Sequence, residues 1–139
     1  MIIGVDYIGV GCGALIVNDQ NQVLLLKRTN KTKANAGQWS QPGGTVEFGD
    51  TVEDTVIREV KEELNIDVEL VRPLGFTKHI IPEENKHWVS LEYLVKIVGG
   101  ELINMEPEKH SEMRWFGLEE LPENLTDPTK DSISRYQDA

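Results

Sequence analysis

The sequence predicts an α/β fold, an α/β/α sandwich around a mixed β-sheet, in a single domain spanning residues 1–139. Three observations point there. One stretch, Thr51 to Leu64, carries a strong helical pattern. Strand-like patterns precede it, flank it and follow it. A chain of 139 residues is long enough to bury a core without disulfides or structural metal, and Cys12 is its only cysteine.

Tyr7 to Val17 reads as a strand in which Gly9, Gly11 and Gly13 bare one face and admit a close neighbour. Cys12 within it reads as a small buried apolar residue. Asn18 to Asn21 is a turn. Val23 to Lys27 is a second strand, making a hairpin with the first, and its run Val23-Leu24-Leu25-Leu26 suggests burial on both faces. Lys27-Arg28 ends that strand, and a polar loop, Thr29 to Gly37, follows. Trp39 reads as core. Gln41-Pro42-Gly43-Gly44 forces a tight turn, and Thr45 to Phe48 alternates polar and apolar.

In the helix, Asp50 or Thr51 can cap the N-terminus, and Glu53 and Asp54 place acid where the helix dipole favours it. Val52, Val56, Val60 and Leu64 make one apolar stripe, with Ile57 beside them. Asn65 falls where a left-handed closing residue is usual. Beyond it, Asp67 to Thr77 reads as a strand interrupted by Pro73 and Gly75, and Ile81 to Asn85 as a turn. His87 to Val98 is a long strand. Its Val89, Leu91, Tyr93 and Val95 face should point inward, against Trp88, Ser90, Glu92 and Leu94 on the other. His79 and His87 flank the turn and are expected near each other, in structural roles. A polar segment, Glu101 to Glu112, precedes a short strand from Met113 to Phe116 and a turn closed by Pro122. A final helix from about Pro128 to Tyr136 suits a surface cover or a dimer contact.

The chemistry sits beside the apolar stripe. At about 100° per residue, Glu59, Glu62 and Glu63 share one sector of the helix. Such a face is ordinarily just solvated. Three carboxylates together repel, so a positive partner is expected. Hard oxygen ligands suit Mg²⁺ or Mn²⁺, not zinc, and no Cys or His is expected to accompany them. Arg58, four residues before Glu62, can buttress a carboxylate from the side.

These residues resemble the Nudix box, G-x5-E-x7-R-E-U-x-E-E-x-G-U with U apolar. Gly44 supplies its first glycine and Arg58 to Ile66 its core. Asp50 stands where the family usually has Glu, which keeps the charge and shortens the reach; Asn65 stands where it usually has Gly. The resemblance implies the Nudix fold, metal ligands at Glu59, Glu62, Glu63 and the Gly43 carbonyl, and catalytic roles for Arg58, Glu59 and Glu62. It also implies that Arg28 and Gly44 meet the substrate, Arg28 as a bidentate phosphate contact. Leu26-Lys27-Arg28, Phe48, the Glu106-Pro107-Glu108-Lys109 loop and the Leu121-Pro122 turn extend the likeness to the MutT-like nucleoside-triphosphate diphosphatases, and that loop can bring a further carboxylate to the metal.

The function implied is Mg²⁺-dependent cleavage of a nucleoside triphosphate, or a related nucleoside diphosphate derivative, to monophosphate and pyrophosphate. An ADP-ribose or nucleotide-sugar pyrophosphatase would use the same box; a non-catalytic nucleotide-binding module would have lost the box carboxylates, which this chain retains. A net charge of −10 counts against a nucleic-acid or anionic-membrane partner, so the expected partner is a small nucleotide; family members often form homodimers. No leader-like start or membrane-length apolar run is seen, and one cysteine fits a reducing cytoplasm.

Overall fold

The computed structural model describes residues 1–29 and 36–138. Most of the polar loop expected from Thr29 to Gly37 therefore lies outside the described residues. The elements run β1 (Gly9–Ile16), β2 (Gln22–Arg28), β3 (Trp39–Ser40), β4 (Gly43–Thr45), α1 (Val52–Leu64), β5 (Ile66–Ile81), β6 (Lys86–Gly100), β7 (His110–Gly117) and α2 (Asp127–Asp138). The alternation expected through Phe48 leaves the strand after Thr45, and Phe48 is exposed.

Two sheets form, ordered β4-β1-β6-β5 and β3-β2-β7. The first is mixed, because β1 runs parallel to β6 and antiparallel to β4. The β1–β2 hairpin exists only at its base, where Val17 bridges Val23; beyond it the two strands part into different sheets. Alternate residues of both strands then enter two cores. Ala14, Ile16, Leu24 and Leu26 pack with Val56, Val60 and Leu64 of α1. Leu15, Val23 and Leu25 pack with Leu74, Leu94, Phe116 and Ile133 of α2. This is the two-sided burial that the leucine run predicts. Each such side chain contributes on the order of 1.5–3 kcal/mol. Trp39 joins the second core, edge-on to Phe116 at 4.9 Å.

The α1 termini follow the local rules. Thr51, not Asp50, is the cap, accepting from the Asp54 N–H at 3.1 Å. Asn65 is left-handed at φ 62° and returns its N–H to the Lys61 carbonyl. Ile57, expected beside the stripe, is instead exposed. On β5, Pro73 and Gly75 shift the register without ending the strand, which continues to Ile81.

Two expectations for β6 need correction. Its expected inward face does meet the α1 core through Val95 and Tyr93, but Val89, Leu91 and Tyr93 are only half-buried, and the opposite face, with Ser90, Glu92 and Leu94, is buried as well because α2 covers it. The pairs His79–Trp88 and Ile80–His87 put the two histidines on opposite faces of the ribbon.

Glu92, fully buried, accepts from the Thr77 hydroxyl at 2.5 Å and lies 4.0 Å from Arg135 of α2. Burial pushes its carboxyl up to about 7, against the pull of Thr77 and Arg135. A carboxyl raised on folding favours the protonated form in the native state. Its stabilising effect is therefore present below the unfolded value, about 4.3, and lost as pH rises towards 7. Glu92→Gln is expected to flatten that fall by on the order of 2 kcal/mol in thermal or urea unfolding between pH 5 and pH 8. A variant with the native pH slope would show that Glu92 does not set it.

Candidate active site

The site is a glycine corner closed by a helix. β4 pairs with β1 through Gly11–Thr45, Cys12–Gly44 and Gly13–Gly43. A Cβ on Gly43 would stand 2.1 Å from the Cys12 carbonyl oxygen, so a bare Cα is what lets the strands meet there. A Cβ on Gly44 would stand 2.4 Å from the carboxyl carbon of Glu59. One turn along α1, the Gly43 N–H donates to Glu63 Oε2 at 3.0 Å. Two consecutive glycines thus receive two carboxylates spaced four residues apart.

A later segment completes the group. The N–H groups of Ile103 and Met105 donate to the Leu64 and Glu63 carbonyls, both at 2.9 Å, satisfying the open end of α1. The chain then turns back, with Lys109 and His110 donating to the Glu106 carbonyl. This sets Glu106 and His110 against Glu63, with one donor atom from each of the three within 4.8 Å of the others. His110 Nε2 is 3.8 Å from Glu63 Oε1.

Burial and like charge dominate the electrostatics. Burial pushes the Glu63 carboxyl up to about 8; the Gly43 N–H opposes this, while Glu59 and Glu106 add to it. Glu59 is also raised, by burial and then by Glu62, with Arg58 opposing. His110 is pushed down to about 4 by burial and then by Arg28 and Lys109, so its imidazole is neutral. Its Nδ1 is buried with no hydrogen-bond partner among the described residues. Arg58 spans Asp50 at 3.0 Å, Glu59 at 3.5 Å and Glu62 at 3.8 Å. Asp50 is long enough to hold that arginine.

Glu59 and Glu63 therefore converge on the corner, while Glu62 reaches Arg58 from a more exposed position. Glu106 arrives from the later loop. Glu108 offers its carbonyl to the Thr29 hydroxyl and is not part of the three-residue group. His110 is a correction, since the local sequence gave the acids no histidine. It opens β7, about fifty residues beyond the helix, and only the fold of the segment after β6 joins them. Carboxylates with one neutral imidazole fit Mg²⁺ and fit Mn²⁺ somewhat better. Beside the group lies a cavity of about 380 Å³ lined by Arg28, Gly43, Gly44, Glu63 and Trp88, among others. His79 lines it too, a place that strand periodicity alone does not reveal.

Residues 8–136 match a family described as the NUDIX domain. An ADP-ribose pyrophosphatase from Methanocaldococcus jannaschii is 34% identical over 115 residues, covering 83% of this chain and 66% of that protein. An NAD-capped RNA hydrolase, NudC, from Vibrio parahaemolyticus is 32% identical over 111 residues, covering 80% of this chain and 40% of its own length. The chain thus spans less than two thirds of these curated relatives. A MutT NUDIX hydrolase structure from Burkholderia pseudomallei is 40% identical with a TM-score of 0.86, covering 92% of this chain and 97% of that one.

Proposed function

The chain belongs to the NUDIX domain family, and from that premise we propose that it hydrolyses a phosphoanhydride bond in a nucleoside triphosphate, yielding monophosphate and pyrophosphate, or in a related nucleoside diphosphate derivative, yielding monophosphate and the phosphorylated remainder. Residues 1–139 act as one domain in this reading. The observation that carries it is the pair of carboxylates lodged on a glycine corner, Glu63 on the Gly43 N–H and Glu59 on the bare Gly44, with Gly43, Gly44 and Glu63 lining a cavity.

Glu59, Glu62, Glu63 and the Gly43 carbonyl would hold Mg²⁺, with Mn²⁺ as substitute, and Glu106 and His110 lie close enough to Glu63 to join them. A bound divalent ion supplies charge to the phosphoryl oxygens and acidity to a water. The rest belongs to the chain. Arg58 orients Glu59 and Glu62. Arg28, on the cavity wall, takes a phosphate with its guanidinium fork. Gly44 lets the phosphate chain approach the backbone. A carboxylate of the set accepts the water's proton, and Glu106 adds a candidate to Glu62.

The test is a panel of nucleoside triphosphates with Mg²⁺, read by pyrophosphate release. The Methanocaldococcus relative favours a second reading, ADP-ribose cleavage, recognised by AMP as a product. A net charge of −10 favours a small nucleotide over an RNA chain in either case. A panel in which no phosphoanhydride is cleaved would sink both.

A further inference from the structure

Gln41, just after β3, is nine-tenths buried and lines the cavity. Its backbone N–H donates to Thr129 Oγ1 at 2.9 Å. Its side-chain amide is different: neither Nε2 nor Oε1 has a partner among the described residues. Leaving a buried polar group unpaired costs about 1–3 kcal/mol, and native proteins seldom do so without a reason. The amide lies against β1, where a Cβ on Gly13 would stand 2.3 Å from Nε2. Gly13 is therefore what admits it. Ser40, its neighbour on the cavity wall, also has an unpartnered hydroxyl among the described residues. Elsewhere on the wall, the Trp88 indole lies over Gly9, whose added Cβ would stand 2.6 Å from it. The cavity thus carries an aromatic ring, an unsatisfied amide, and the Arg28 and Glu63 side chains.

We propose, resting on the nucleotide-hydrolase reading above, that Gln41 is the residue that selects the nucleobase. Its amide takes an adjacent donor and acceptor on the edge of the base. The terminal torsion of Gln is broad and roughly two-fold, so the amide offers its donor and acceptor in either order. Glutamine reads the adenine edge in this bidentate way in other settings. A substrate that lacks the pair leaves the amide unbonded, and a buried polar group rejects such analogues strongly.

The test compares each of the four ordinary nucleoside triphosphates with purine riboside triphosphate, whose ring has no exocyclic group. In the native protein the best ordinary nucleotide should exceed the reference in kcat/KM by about 10-fold or more. In Gln41→Leu the margin should shrink to about 2-fold, with the melting temperature unchanged or raised because an unpaired amide is gone. Gln41→Glu, which keeps only acceptors, should move preference towards guanine, whose N1–H and 2-amino group are adjacent donors. An unchanged margin in Gln41→Leu overturns the proposal. If the melting temperature also falls, the amide serves only a buried water. Absence of any margin in the native protein overturns it too. Should the native protein cleave none of the five, the nucleoside-triphosphate reading fails by itself; calorimetric affinities are then compared in the same way, and equal affinities for all five overturn the role of Gln41.

Discussion

Glu63→Gln is expected to lower Mg²⁺-dependent turnover by about 10³-fold while leaving the fold intact. Glu63 is buried, holds the Gly43 N–H at 3.0 Å and stands against Glu106 and His110. A metal contributes several kcal/mol to stabilising charge in the transition state, and each 1.36 kcal/mol is tenfold in rate. Glutamine keeps the size and the acceptor for Gly43 but removes the charge. Burial disfavours that charge when no cation is present. The variant's melting temperature without metal should therefore equal or exceed the native value. Addition of Mg²⁺ should raise the native melting temperature and leave that of the variant unmoved. Native-like turnover by Glu63→Gln would remove this residue from the metal shell.

Gly44→Ala is expected to lower kcat by about 10²-fold, again without unfolding the protein. The new methyl would stand 2.4 Å from the Glu59 carboxyl carbon, so that carboxylate must move. A displacement of about 1 Å in an active site can cost about 10²-fold. The Glu59 side chain is partly exposed and can swing aside, so the helix and its stripe should remain. Steady-state kinetics with a circular-dichroism melt reads both effects. An unaltered kcat would mean that the position of Glu59 is immaterial to the reaction. The neighbouring Gly43 differs in kind, because its added Cβ would meet a backbone oxygen that cannot step away.

Local pattern carried far in this chain. Thr51, the valine stripe and Asn65 define α1 through rules that operate within four residues, and Glu59 and Glu63 inherit their places from that periodicity. The glycines of the turn were legible for the same reason. What could not be read is what depends on partners far along the chain. Periodicity gave the two faces of β6 correctly but not their cover. Glu92 looks like a solvent-facing residue until α2 brings Arg135 over it. His110 has no signal of its own, because its meeting with Glu63 depends on how residues 103–106 fold back on the end of α1. The parting of β1 and β2 is set by what each pairs with, β6 for one and β7 for the other.

That pairing also sets an order on folding. Every residue of β1 from Gly9 to Ile16 finds its mate between Trp88 and Val95. On the ribosome, the acidic helix is complete some thirty residues before the strand that must support it has been synthesised. Contacts so distant along the chain form late and slowly. The nascent chain therefore carries its acids on a helix whose supporting strand pairing is still to come.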